Sequence, residues 1–137
     1  MAKKDPVREF LRQRGSPSPV VDGGLPGLIA SWEKAVDEVV HGYGLGLDDY
    51  LNDMDGRELL RAALALAPAA ERKRLRPRIQ AADHRIKPRL GPAGPCLWGK
   101  QEAHERGWTP LVNWWYFRRP KRAGEEFEKD WKGRFSP

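Results

Sequence analysis

The stretch with the most chemistry spans residues 108–120 and is written WTPLVNWWYFRRP. Five of its side chains are aromatic, and two arginines follow them directly. Aromatic side chains dominate the energetics of cores and interfaces, whereas guanidinium groups bind carboxylates, phosphates and aromatic faces. The stretch is therefore either the centre of a core, which helical spacing favours, or a binding surface. In the second case we expect three rings to contact the partner: Trp114, Trp115 and Tyr116.

A second candidate is the basic segment 72–89, in which eight cations are opposed by one carboxylate, Asp83. Such cations can neutralise phosphates with release of counterions, or bind an acidic protein surface. The alternative is a solvated helix face that pairs with acidic residues of the N-terminal half. Together with the cations after the aromatic stretch, we expect these residues to bind a polyanion or an acidic partner: Arg72, Lys73, Arg74, Arg76, Arg78, Arg118, Arg119, Lys121 and Arg122.

Four aspartates form a third group, Asp48, Asp49, Asp53 and Asp55. Asp49 and Asp53 are four residues apart and could share a hard cation such as Mg²⁺. However, three of the four are explained by roles at helix N-termini, as caps or as charges facing the helix dipole. We therefore expect no metal site and no cofactor, and a small metal-dependent enzyme is the least favoured function.

The sequence contains no residue pattern that is typical of nucleophilic catalysis. Cys96 and His104 lie eight residues apart, which is no signature of a nucleophile and its base, and the three histidines are scattered. The single cysteine also excludes an internal disulfide and a thiolate zinc cluster. No phosphate-binding loop, serine-hydrolase motif or kinase motif is present. Binding is therefore favoured over catalysis.

Charge is distributed unevenly along the 137 residues, which carry a formal net charge of +6. Residues 1–67 hold 8 Lys/Arg against 11 Asp/Glu, and residues 68–137 hold 17 against 8. The basic half favours an acidic protein or a nucleic acid, and the opposed halves would allow self-association. No apolar run approaches the roughly 20 residues of a spanning helix, and no signal-type core follows the N-terminus. We expect a cytoplasmic protein without membrane contact.

The elements that must position these groups are predicted to be helices. Asp5 and Pro6 are typical of a helix start, and the Pro/Gly/Ser-rich stretch 16–27 is interpreted as a loop. The clearest helix follows, with an apolar stripe that we expect to be the central contact of the fold. Its residues are Leu25, Leu28, Ile29, Trp32, Val36, Val39 and Val40.

Two further helices are predicted to bend. The apolar residues of 47–54 and of 59–64 lie on different faces, so we expect a break near Asp55, which resembles a helix cap with Glu58 three residues on. The next helix begins at Pro68 and has a narrow apolar seam of Leu75, Ile79, Ala82 and Ile86. Pro77 lies inside that seam and predicts a kink.

After a turn at 89–95 the sequence predicts a helix from Pro95 to Gly107. A short helix over 108–120 follows, with a strand as the alternative, and the last helix carries Phe127 and Trp131. The fold class is therefore all-α: one compact domain, residues 1–137, with about five to seven short helices and kinks near Asp55 and Pro77.

These observations favour a non-enzymatic binding protein, of the adaptor, inhibitor or toxin-neutralising type, whose basic half engages an acidic protein. The alternative is a nucleic-acid-binding protein that uses the basic helix 72–89 and the segment 108–122.

Overall fold

A computed structural model describes residues 5–135. This part of the chain contains six α-helices and one small sheet, which confirms the all-α prediction. The elements are α1 (Pro6–Gln13), α2 (Ser18–Val40), α3 (Leu47–Leu66), α4 (Ala69–Ile86), β1 (Leu90–Pro92), α5 (Lys100–Arg106), β2 (Arg118–Pro120) and α6 (Glu125–Phe135). Residues 1–4, where a signal peptide would begin, lie outside the described part of the chain.

Helix α1 begins where the sequence predicts. The Asp5 carboxylate accepts hydrogen bonds from the backbone amides of Val7 and Arg8, at 3.0 and 3.1 Å. Pro6 occupies the first turn, where its missing N–H costs nothing. The Arg8 guanidinium also donates to the Asp22 carbonyl, at 3.0 Å, and so ties α1 to α2.

The interpretation of residues 16–27 as a loop is wrong, because α2 already begins at Ser18. Pro19 lies in the first turn of this helix, so the Ser-Pro pairs mark a helix start rather than a loop. Within this stretch the backbone is irregular at residues 16–17, before the helix, and at Gly24, whose φ of 55° interrupts α2. Glycine adopts this conformation readily because it has no Cβ.

The apolar stripe of α2 forms the middle of the core, as predicted. All of its members between Leu25 and Val39 are buried, and Val40 is half-buried. α2 packs against α1, α3 and α4. The buried seam of α4, from Leu75 to Ile86, faces into this core as the spacing predicts.

Helix α3 runs without interruption from Leu47 to Leu66, so the predicted break near Asp55 is wrong. Its two apolar faces have different neighbours, because α3 packs against α1, α2, α6 and the 3₁₀ turn Trp114–Phe117. One continuous helix can therefore bury both faces. α4 is likewise continuous through Pro77, so the proline, where the sequence predicts a kink, does not end the helix. Pro77 and Lys73 are exposed, so water can reach the carbonyl that an amide at 77 would have engaged.

The second half of the chain is less regular than the sequence predicts. α5 ends near Gly107 as expected but begins at Lys100 instead of Pro95. The predicted helix over 108–120 is reduced to the 3₁₀ turn Trp114–Phe117, followed by β2. β2 pairs antiparallel with β1, Leu90 opposite Pro120. The paired segments are about 28 residues apart in the sequence, so no local pattern predicts this pairing.

The centre of the fold contains one buried ion pair. Arg57 of α3 is 8% exposed and binds Asp83 of α4 through two hydrogen bonds, Nε–Oδ1 at 3.1 Å and Nη2–Oδ2 at 2.8 Å. The Trp32 indole of α2 donates to the same carboxylate, at 2.9 Å. This geometry satisfies both carboxylate oxygens, as a buried charge requires.

Aromatic rings enclose the Arg57 guanidinium. Its central carbon lies 4.4 Å from the centroid of the Trp115 ring and 5.8 Å from that of Trp32. Both distances are within the range of cation–π attraction. Arg57, Asp83, Trp32 and Trp115 therefore join α2, α3, α4 and the 3₁₀ turn in one contact, which we call the Arg57 centre.

We expect Asp83→Ala to lower the free energy of unfolding by ~3–5 kcal/mol, because Arg57 would stay buried without its carboxylate. Asp37→Ala is the matched control. It also removes the carboxylate of an ion pair between α2 and α4, with Arg85, but those side chains are 54% and 48% exposed. Its loss should be below ~1 kcal/mol. Urea unfolding measures both, and equal losses would contradict a stabilising role for the buried pair.

Candidate functional site

The cations of α4 fall into two groups. On the flank that faces α2, Arg78 binds Glu33 at 2.5 Å and Arg85 binds Asp37 at 2.6 Å. The expected pairing with the acidic half therefore exists, but only on this flank. Half-exposed pairs of this kind contribute at most ~1 kcal/mol each.

The opposite side of α4 carries exposed cations that make no ion pair within residues 5–135. We call this surface the outer face of α4; its basic residues are Lys73, Arg76, His84 and Lys87. Arg74 is also exposed, but it lies four residues before Arg78 and so on the flank. From Lys73 to Lys87 the face is about 21 Å long at a rise of ~1.5 Å per residue. Lys87, just past the helix end, lies 4.8 Å from the Trp114 ring centroid. The face is thus a line of basic side chains open to a partner.

The remaining predicted cations are only partly available. Arg119 binds Glu128 and lies over the rings of Phe127 and Trp131, at 5.0 and 4.7 Å, so it holds α6 in place. Lys121 donates to the Pro88 carbonyl at 3.1 Å, which brings it beside the end of α4.

Arg72, Arg118 and Arg122 differ in exposure. Arg72 is half-buried and donates to the Ala65 carbonyl at 3.4 Å. Arg118 is also half-buried, and its carbonyl accepts from the Tyr50 hydroxyl at 3.1 Å. Arg122 is exposed. The structure therefore leaves the outer face of α4, rather than residues 118–122, as the main open cationic surface among the described residues.

The aromatic side chains of the 3₁₀ turn lie in the core. Trp114, Trp115 and Tyr116 are 8%, 1% and 1% exposed. Trp114 meets Trp32 edge to face, with centroids 6.4 Å apart, and the Tyr116 hydroxyl donates to Asp55 at 2.7 Å. In this conformation none of the three has a face open to a base, so a contact with a partner stays a prediction.

The aspartates predicted as a possible cation site are used separately. Asp53 accepts from the Tyr43 hydroxyl at 2.8 Å, and its burial raises the pKa of its carboxyl above the usual value. Asp49 accepts from the Gly46 amide at 3.3 Å, and Asp48 is exposed. In the described part of the chain, no group of three or more potential ligands comes together to hold a metal ion.

A cleft of about 650 Å³ was not foreseen from the sequence. It lies between α3, α5 and the segments that flank α5, and Asp55, Glu58, Trp98 and Trp108 are among its lining residues. The residues that could have indicated this cleft in the sequence are Asp55 and Glu58 of α3. Their three-residue spacing predicts a capping box instead. Both instead accept hydrogen bonds from side chains of the second half, Tyr116 and Asn113.

Comparisons with known proteins do not narrow the function. No family model matches the chain, and neither does a curated protein or a solved structure. Among residues 5–135, no helix is both long and apolar enough to cross a bilayer. The function must therefore be inferred from the geometry of the outer face and the cleft.

Cys96 should react slowly with thiol reagents. It is 2% exposed, and its burial raises the pKa of the thiol, so the reactive thiolate is rare. In the native protein we expect a disulfide reagent such as DTNB to label Cys96 at least ~100-fold more slowly than in urea, because local opening must precede attack. Equal rates would indicate an accessible, activated nucleophile.

Proposed function

We propose that the protein is a non-enzymatic binding protein whose outer face of α4 engages an acidic surface on a partner protein. The observation that carries this proposal is the contrast between the two sides of one helix. The flank cations Arg78 and Arg85 already have carboxylate partners on α2, whereas the outer cations have none in the described chain. A second protein can supply those carboxylates.

The composition of the outer face supports a protein partner. Pro77 and Gln80 are exposed among these basic residues, so the middle of the face is uncharged. Protein interfaces combine a centre depleted in charge with a polar rim. Arginine, here Arg76, is also enriched among the residues that dominate binding energy.

Nucleic acid is the competing occupant, and the same line of cations favours duplex phosphates. Single strands are less favoured, because non-specific single-strand binding depends on exposed rings on which bases stack. The candidate rings Trp114, Trp115 and Tyr116 are buried instead. Arg119 is also held by Glu128, which removes one of the predicted phosphate contacts.

The test compares two double variants of α4 that lose the same charge. Lys73→Gln/Arg76→Gln changes the outer face, and Arg78→Gln/Arg85→Gln changes the flank. A partner captured after nuclease treatment is purified and titrated with each protein. We expect a 1:1 complex that the outer-face variant weakens by about tenfold or more, whereas the flank variant stays near the wild type.

The competing occupant is tested with a fluorescein-labelled duplex of 20 base pairs, by anisotropy. We expect binding only at low salt, as net charge alone predicts. Micromolar binding at about 150 mM salt would overturn the protein-partner proposal, if the outer-face variant also flattens the salt slope by about one unit per lost cation.

A further inference from the structure

The cleft beside α3 has the size of a small-molecule site. Its volume of about 650 Å³ lies within the ~300–1,000 Å³ of ligand pockets. We propose that it binds a nucleoside phosphate whose base carries an exocyclic amine. None of its lining residues belongs to the outer face of α4, so this site is independent of the proposed protein contact.

The inner wall presents one oriented hydrogen-bond acceptor. Asp55 Oδ1 accepts from the Tyr116 hydroxyl at 2.7 Å and from the Trp98 indole at 3.0 Å. These two donors hold the half-buried carboxylate in one orientation. Asp55 Oδ2 accepts from no donor within residues 5–135, so it is free for a ligand amine, and a charged acceptor strengthens such a bond.

Aromatic surface lies next to this acceptor. Trp108 stacks on Tyr116, with centroids 4.1 Å apart and planes 26° apart, and it is only half-buried. Trp98 is 37% exposed, and the Arg134 guanidinium lies over its ring at 5.4 Å. Both line the cleft. Planar rings with open surface favour a planar ligand such as a nucleobase.

Guanidinium groups with unused N–H donors also line the cleft. Arg61 uses Nε and Nη2 for Glu58, and Arg106 uses Nε for Glu102, so other N–H groups of both remain. Arg14 makes no side-chain hydrogen bond in the described chain and lies over Phe10 at 5.5 Å. The ion pairs hold Arg61 and Arg106 in position, and guanidinium forks suit phosphate.

The charge balance selects between ligand classes. The lining holds three carboxylates and three guanidinium groups. A simple amine would be repelled by the guanidinium groups, because both carry positive charge. Inorganic phosphate would leave Asp55 Oδ2 without a hydrogen-bond donor. A ligand with a donor at one end, a flat body and a phosphate at the other end satisfies all three parts of the cleft.

The first test is a ligand panel on the full chain, by calorimetry and by quenching of tryptophan fluorescence. AMP should bind with a Kd below about 1 mM. We expect at least ~tenfold weaker binding of purine riboside 5′-monophosphate, which lacks the amine, because Asp55 then has no donor. Adenosine and ribose 5-phosphate should also bind more weakly than AMP. The absence of AMP binding, or equal binding of ribose 5-phosphate, would overturn the proposal.

The second test uses variants. Asp55→Asn keeps an oxygen for Tyr116 and Trp98 but removes the charged acceptor, so AMP binding should fall by about tenfold. Arg106→Gln should weaken AMP and leave adenosine unchanged, because it removes a phosphate contact. Arg76→Gln, on the outer face of α4, is the control that should bind AMP like the wild type. Unchanged AMP binding by Asp55→Asn, or an equal loss with Arg76→Gln, would contradict the assignment.

Discussion

The burial of one charge constrains this fold more than any other feature. A guanidinium group is tolerated away from water only when a carboxylate balances its charge and its N–H groups have acceptors. Residues of three other elements stabilise Arg57 in its buried position. Asp83 supplies the carboxylate, Trp32 bonds to the same carboxylate, and the Trp115 ring covers the cation. The Trp115 indole nitrogen is itself buried without a partner among the described residues. The contribution of that side chain is therefore its ring.

Both surfaces to which we assign function depend on this contact. Asp83 fixes the rotation of α4, and the rotation decides which cations pair with α2 and which, such as Lys73 and Arg76, face outward. Trp115 fixes the 3₁₀ turn, and its neighbour Tyr116 orients Asp55 at the inner wall of the cleft. Asn113, one residue before the turn, donates a hydrogen bond to Glu58 and so orients that carboxylate. A single buried pair thus positions the outer face of α4 and the cleft, which share no residue.

The sequence predicted those features that depend on local patterns. The stripe from Leu25 to Val40, the cap at Asp5 and the seam of α4 follow from spacing within one helix. One error, the loop predicted over 16–27, was local, because the Ser-Pro pairs mark a helix start. Other errors arose where the partner is distant in sequence. The spacing in the DGRE stretch, residues 55–58, predicts a cap, but its carboxylates accept hydrogen bonds from side chains 43 to 61 positions away. Arg57 resembles a surface arginine until Asp83, the lone acid of a basic segment, is placed beside it. The β1–β2 pairing and the cleft likewise depend on contacts that no local window contains.

The central claim is that the Arg57 centre couples α2, α3, α4 and the 3₁₀ turn. Amide hydrogen exchange of Asp83→Asn, with Asp37→Asn as the control, tests it most directly, because exchange reports which segments open together. The coupling predicts that protection falls together in α2 around Trp32, in the middle of α3, in α4 and at residues 114–117, and that the control leaves all of them unchanged. Loss of protection confined to α4 around residue 83 would contradict the claim.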